Sequence, residues 1–166
     1  MKNVIILSAT TRSNLQLSQE IASHAPSDLK CDIVVIEEMN LPLYSPQAEE
    51  NGIPQAVTDL VVKMSAAGAL ILVAPEYNGS IPPVMNNLIA WISRASKEWR
   101  QSFAGKFAAV ATMSGGGGAK VLQAMRSQLE HLGTTVHSHA LLCTGQKPLN
   151  PESAKKIMSD FSHWLR

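Results

Sequence analysis

The chain has 166 residues, long enough to bury a full core without disulfides or metals. Hydrophobic residues at 45% against charged residues at 16% describe a compact globular protein and exclude a disordered one. A formal net charge of +1 and 5% aromatics leave neither the electrostatic excess nor the stacking platforms that a nucleic-acid or acidic-membrane partner needs.

The N-terminus, MKNVIILSAT, carries one Lys and the apolar run Val4–Leu7, which is too short for a signal-peptide core and reads as a first strand. Ser8–Gln16 then leads into a first helix, with Ser13 or Asn14 as its cap. Ile33–Ile36 reads as a second strand. The non-periodic stretch Glu37–Gly52, with Pro42, Pro46 and Gly52, is long for an idle loop and is expected to be functional or interfacial. Ile53, Val57, Leu60, Val61 and Met64 share one helical face. Ala69–Ala74 and Phe107–Thr112 are nearly continuous in apolar character, as central strands buried on both faces are.

Between those strands, Pro82 and Pro83 suit the first turn of a third helix, with Ser80 as a cap. Its Val84, Met85, Leu88, Ile89, Trp91 and Ile92 make it apolar on more than one face, which fits burial in sheet and partner together, or in a monomer alone. Val121, Leu122, Met125, Leu129 and Leu132 form a fourth helical face, stopped by Gly133. Val136–Leu142 reads as a fifth strand. Asn150, before Pro151 and Glu152, caps a fifth helix whose apolar face is Ile157, Met158, Phe161, Trp164 and Leu165. Cys31 and Cys143 lack C-x-x-C spacing, so two small buried thiols are expected, with no metal site and no disulfide. No run approaches a membrane span, so a soluble protein of the reducing cytoplasm is expected. The β-α alternation, with no repeat or linker, predicts one domain over 1–166, a three-layer α/β sandwich with five parallel strands.

Ligands in such sheets bind beyond the carboxyl ends of the strands. Three segments there are unusual. Ser8-Ala9-Thr10-Thr11-Arg12-Ser13-Asn14-Leu15-Gln16 brings hydroxyls, amides and one cation to a helix start, which suits a phosphate-sized anion and equally suits plain capping. Neither G-x-G-x-x-G nor G-x-x-x-x-G-K-[ST] is present, so a dinucleotide fingerprint and a P-loop are disfavoured. A hydroxyl-rich loop without those glycines suits the terminal phosphate of a mononucleotide such as FMN. Pro75-Glu76-Tyr77-Asn78-Gly79-Ser80 is a stiff, Pro-bracketed loop. Gly79 lets backbone approach a flat ligand, and the loop's N–H groups suit the polar edge of an isoalloxazine. In Ser114-Gly115-Gly116-Gly117-Gly118, four glycines exceed what a turn needs and point to close contact with a ligand or a neighbouring subunit, against the alternative of a flexible loop.

The run PEYNGSIPPVMNNLIAWISR, residues 75–94, resembles the hallmark segment of the NADPH-dependent FMN reductase family. SATTRSNLQLS is similar to that family's G-S-x-R phosphate loop, with Thr10 at the Ser and Arg12 at the Arg position. Leu41-Pro42-Leu43-Tyr44 resembles its loop after the second strand, and Ser114–Gly118 with Arg126, Leu129 and Gly133 its glycine loop and following helix. Ala9 stands where the family usually has Gly, which costs about 1 kcal/mol or more if that position needs positive φ. Leu15 and Leu17 stand where related sequences often have Ser, with Asn14, Gln16 and Ser18 as partial substitutes. Asn86 and Ala90 replace the Lys and Asp that the family commonly spaces four apart.

The resemblance implies a flavodoxin-like sheet of order 2-1-3-4-5 and non-covalent FMN. It implies NADPH or NADH as donor, a quinone or similar small electron acceptor, ping-pong turnover, and a homodimer or homotetramer. The cofactor would be held by Thr10, Arg12, Asn14, Leu15, Gln16, Pro75, Glu76, Tyr77, Asn78, Gly79, Ser80, Ser114, Gly115, Gly116 and Gly117. No catalytic side chain is required, because the flavin carries the chemistry. His137 and His139 alternate on the fifth strand and read as packing or edge positions, with no paired carboxylate in view; His131 and His163 read as surface. The alternatives are a flavin-binding or regulatory module without turnover, and an electron carrier, which the +1 charge disfavours.

Overall fold

The computed structural model describes residues 1–165. Five β-structured positions form one parallel sheet. The strands β1 (Lys2–Ser8), β2 (Leu29–Val35), β3 (Ala69–Val73), β4 (Phe107–Met113) and β5 (Thr135–Val136) stand in the order β2-β1-β3-β4-β5, and β6 (Leu141–Cys143) also pairs with β4. This is the order expected above. The helices are α1 (Ser13–Ser23), α2 (Pro46–Glu49), α3 (Gln55–Ala66), α4 (Pro83–Ile92), α5 (Ala119–His131) and α6 (Pro151–Trp164).

Two apolar layers flank the sheet because alternate strand residues point to opposite faces. Ile5, Leu7, Leu70, Leu72, Ala108 and Val110 meet α3, α4 and α5 on one side. Val4, Ile6, Ala69, Ile71, Val73 and Ala109 meet α1 and α6 on the other. The apolar side chains of α4 are covered within this chain. Met85, Leu88, Trp91 and Ile92 are all 0% exposed, so the helix needs no partner to account for its composition. No helix among the described residues is long and apolar enough to cross a membrane.

The predicted fifth strand is not continuous. Thr135–Val136 and Leu141–Cys143 pair with the two ends of β4, and Ser138, His139 and Ala140 between them are exposed. Arg126 from α5 takes the carbonyls of Val136, His137 and Ser138, which removes them from the ladder. The two histidines therefore do not alternate along a strand. His137 is 3% exposed and does have a carboxylate partner: its Nε2 lies 2.9 Å from Asp160 Oδ2 on α6. Its Nδ1 accepts the His139 backbone N–H at 3.0 Å, which assigns the ring hydrogen to Nε2. His139 packs edge-on to it, 5.4 Å between centroids, and the His137–Asp160 contact ties α6 to the sheet edge.

Helix punctuation follows the sequence at three of five positions. Asn150 caps α6, its Oδ1 accepting the N–H groups of Glu152 and Ser153. Pro83 is the first residue of α4. Gly133, at φ +94, stands just past α5. Ser80 does not cap α4, whose N-cap is Pro82. Neither Ser13 nor Asn14 caps α1, which begins after Arg12 without a side-chain cap.

The segment after β2 is ordered. A 3-10 turn, Glu37–Met39, leads to Asn40 in the left-handed region at φ 48. Extended chain then docks on α4. Asn87 Oδ1 accepts the Tyr44 N–H at 2.8 Å, and Asn87 Nδ2 and Trp91 Nε1 donate to the Pro42 carbonyl at 3.0 and 2.7 Å. Arg94 bonds both oxygens of Glu49, whose Oε2 also accepts the Tyr44 hydroxyl.

Candidate functional site

The order β2-β1-β3 reverses direction between β1 and β3, and a crevice opens there beyond the strands' carboxyl ends. A cleft of about 430 Å³ occupies that place. Thr10, Thr11, Arg12, Ser13 and Asn14 line it from the β1 loop, Pro75 and Tyr77 from the β3 loop, and Met113 and Gly115 from the end of β4. Glu37 closes the side nearest β2. The three loops singled out in the sequence thus meet at one cleft.

The first loop leaves the amides at the start of α1 without a side-chain partner. Ala9 continues the sheet, its N–H bonding the Val73 carbonyl at 2.8 Å, and it is buried in the core. Its φ is not positive, so the strain considered for a non-glycine there does not arise. The missing side-chain cap on α1 leaves its first-turn amides uncapped where Ser13 and Asn14 line the cleft. Leu17 belongs to α1 and packs in the core at 2% exposure, while Leu15 is half-buried and Gln16 exposed, neither lining the cleft.

Asn14 has a different part from the one its sequence position suggests. Its side chain is 2% exposed, donates to the Met113 carbonyl at 3.0 Å and accepts the Met113 N–H at 2.9 Å. Both polar atoms of the amide are engaged, so it ties α1 to the end of β4 and sets the spacing of two cleft walls. Ser18 is buried and donates to the Asn14 carbonyl, which removes it as a substitute ligand.

The second loop is a tight turn. Tyr77 and Ser80 exchange backbone bonds of 3.1 and 3.0 Å, and Asn78 and Gly79 between them have φ 51 and 76. Two consecutive positive φ values give a type I′ turn, for which Asn-Gly is the favoured pair. Gly79 answers that geometry; a Cβ there would meet Lys120 Cδ at 3.3 Å. Glu76 Oε2 accepts the N–H groups of Lys120 and Val121 at 3.1 and 3.2 Å, capping α5, whose own N-cap residue is Gly118. Pro75 and Tyr77 remain at the cleft wall, with Tyr77 49% exposed.

The third loop divides its glycines by purpose. Gly118 has φ +72, and a Cβ on it would stand 2.9 Å from Thr112 Cγ2. Gly115, Gly116 and Gly117 have no positive φ and no atom within 4 Å of an added Cβ. Nothing in the fold requires them bare, and Gly115 is at the cleft. Ser114 is 6% exposed and its Oγ accepts the Gly116 N–H at 3.3 Å, shaping the loop from inside.

Glu37 was not singled out in the sequence. Its Oε2 accepts both the backbone N–H of Thr11 at 2.9 Å and the Thr11 hydroxyl at 2.8 Å. These bonds, and then the nearby Arg12 charge, hold its carboxyl below the usual range. The signal was present in the order of strands. The residues that follow β2 must lie beside the loop after β1, since Ser8 pairs with Val35 and the Ile36 N–H bonds the Ser8 carbonyl.

Comparison with known proteins agrees with this architecture. The chain is 36% identical over 104 residues to a 2-hydroxy-1,4-benzoquinone reductase of Burkholderia sp, covering 61% of this chain and 54% of that protein. It is 34% identical over 116 residues to an NAD(P)H-dependent FMN reductase of Pseudomonas aeruginosa (68% and 60% covered), and 32% over 123 residues to a quinone reductase of Escherichia coli strain K12 (71% and 64%). The matches therefore span little more than half to just under two thirds of those relatives' lengths. Among solved structures, FerB, a flavoenzyme NAD(P)H:(acceptor) oxidoreductase from Paracoccus denitrificans, superposes at TM-score 0.81 with 24% identity, covering 99% of this chain and 97% of that one. A flavodoxin from the domain Archaea superposes at 0.69 with 14% identity and 99% of both chains covered. These two likenesses show a flavodoxin-like fold. The NADPH-dependent FMN reductase family itself matches residues 1–147, and this chain belongs to it.

Proposed function

We propose that the protein is an FMN-dependent NAD(P)H:acceptor oxidoreductase that reduces quinones or similar small electron acceptors. The observation that carries this reading is the cleft at the β1–β3 crevice, which pairs anion donors at one end with bare main chain at the other. Thr10, Thr11, Arg12 and the uncapped start of α1 suit a phosphate. Gly115, beside Tyr77 and Pro75, offers a wall that a Cβ would narrow, as a flat ring system requires. The group and the residues fit.

FMN, when bound, would supply the hydride and electron-transfer chemistry between NAD(P)H and the acceptor. The chain's own residues bind and orient. Arg12 would neutralise the phosphate, Pro75 and Tyr77 would wall the ring system, and Asn14 fixes the distance between the first and third loops. In this reading no side chain transfers a proton, and donor and acceptor would use the one cleft in turn, which would give ping-pong kinetics.

The test is titration of apo-protein with FMN by flavin fluorescence, followed by NADPH oxidation with a quinone as acceptor. Binding, turnover and parallel double-reciprocal lines are expected. Arg12→Ala should weaken FMN about ten- to a hundredfold, the loss of a charge-assisted contact of roughly 1.5–3 kcal/mol. Unchanged affinity would remove Arg12 from the phosphate. Binding without turnover would leave the non-catalytic flavin module, and no binding would overturn both.

A further inference from the structure

The donors that suit a phosphate are already partly taken. One oxygen of Glu37 holds both the Thr11 N–H and the Thr11 hydroxyl, in the same cleft that Arg12 lines. A carboxylate at that place is an internal anion competing for the donors an incoming phosphate would use. We infer that Glu37 sets the selectivity of the cleft between phosphorylated and unphosphorylated flavins, lowering the advantage of FMN over riboflavin. This rests on the flavin reading above and concerns one residue within it.

The physical argument has two branches with one sign. If the phosphate takes the Thr11 donors, Glu37 must give up two hydrogen bonds to its charged oxygen. If Glu37 stays, a dianion and a carboxylate share one small polar space and one guanidinium, and like charges at that range repel. Riboflavin has no phosphate and meets neither cost. The effect therefore falls on the phosphorylated ligand alone. Glu37 is held below its ordinary carboxylate range by the Thr11 bonds, so it is charged throughout the neutral range and acts as a standing counterweight to Arg12.

Glu37→Gln is the informative change. Its amide oxygen can still accept from Thr11, which preserves the loop, while the charge is gone. Dissociation constants for FMN and riboflavin are measured by fluorescence on the apo forms of the natural protein, Glu37→Gln and Glu37→Ala at one ionic strength. The expected result is an FMN-over-riboflavin preference about tenfold greater in Glu37→Gln, with riboflavin affinity within about twofold of the natural protein. Raising the salt concentration should shrink the difference between the two proteins. If both flavins bind and the ratio is the same in all three proteins, Glu37 does not set selectivity and the flavin reading stands. A ratio that rises in Glu37→Ala but not in Glu37→Gln would also overturn the inference, since it would trace to the bonds or the bulk rather than the charge. If the natural protein binds neither flavin, the underlying reading fails first.

Discussion

At the scale of single residues, the glycine loop separates what the fold demands from what it leaves open. Gly118 combines φ +72 with a Cβ position 2.9 Å from the methyl of the fully buried Thr112. Gly118→Ala should therefore cost about 1–2 kcal/mol or more, read as a lower urea midpoint. Gly115→Ala meets open space at an ordinary φ and should leave stability unchanged or raise it by up to about 1 kcal/mol through the unfolded chain. The same Gly115→Ala should weaken flavin binding. Equal stability losses from the two substitutions would mean that the loop's glycines serve the fold alone. The run of four glycines is more than a turn needs. Which one the backbone needs depends on φ and on Thr112, neither of which a sequence displays.

At the scale of elements, caps and ties cross between segments that are distant in sequence. The five predicted helices exist, and Asn150 and Pro83 begin theirs as their local chemistry dictates. Local chemistry did not reveal that α5 would be capped from the β3 loop by Glu76, 44 residues earlier than Lys120. Nor did it reveal that Asn14 would spend its amide on Met113, 99 residues away, rather than on its own helix. The Asn78-Gly79 pair was a legible turn signal whose meaning was local after all. Glu76→Ala should remove two acceptor bonds at the start of α5 and lower stability by about 0.5–2 kcal/mol in urea unfolding. Glu76→Gln keeps an acceptor and should lose less. A neutral Glu76→Ala would show that water replaces the cap at no cost.

For the whole molecule, strand order and layers were legible because hydrophobic periodicity and chain order constrain a parallel sheet strongly. The broken fifth strand was not, because Arg126 captures its carbonyls from a helix. Charge distribution adds a global expectation. Asp28 is held below its usual range by Ser162 and Lys2, Glu152 by Lys155, and Asp160 by Lys156 and then His137. All three involve α6 or the residues that clasp it. A carboxyl depressed by folding contributes stability above its unfolded value, about pH 4, and loses it as pH falls through the folded value. Asp28 and Glu152 are exposed and Asp160 is partly so, so each effect is small. Acidification below about pH 4 should raise amide exchange in α6 before α3. Simultaneous exchange in the two helices would contradict that order.

The interrupted edge beside β4 also bears on how these molecules behave when crowded. An outermost strand offers unpaired amides to any passing chain. Here that margin is cut into a two-residue and a three-residue piece, with a guanidinium occupying the carbonyls between them. A foreign strand arriving there finds too short a template to extend, so the gap guards against sheet-to-sheet aggregation along that side of the protein.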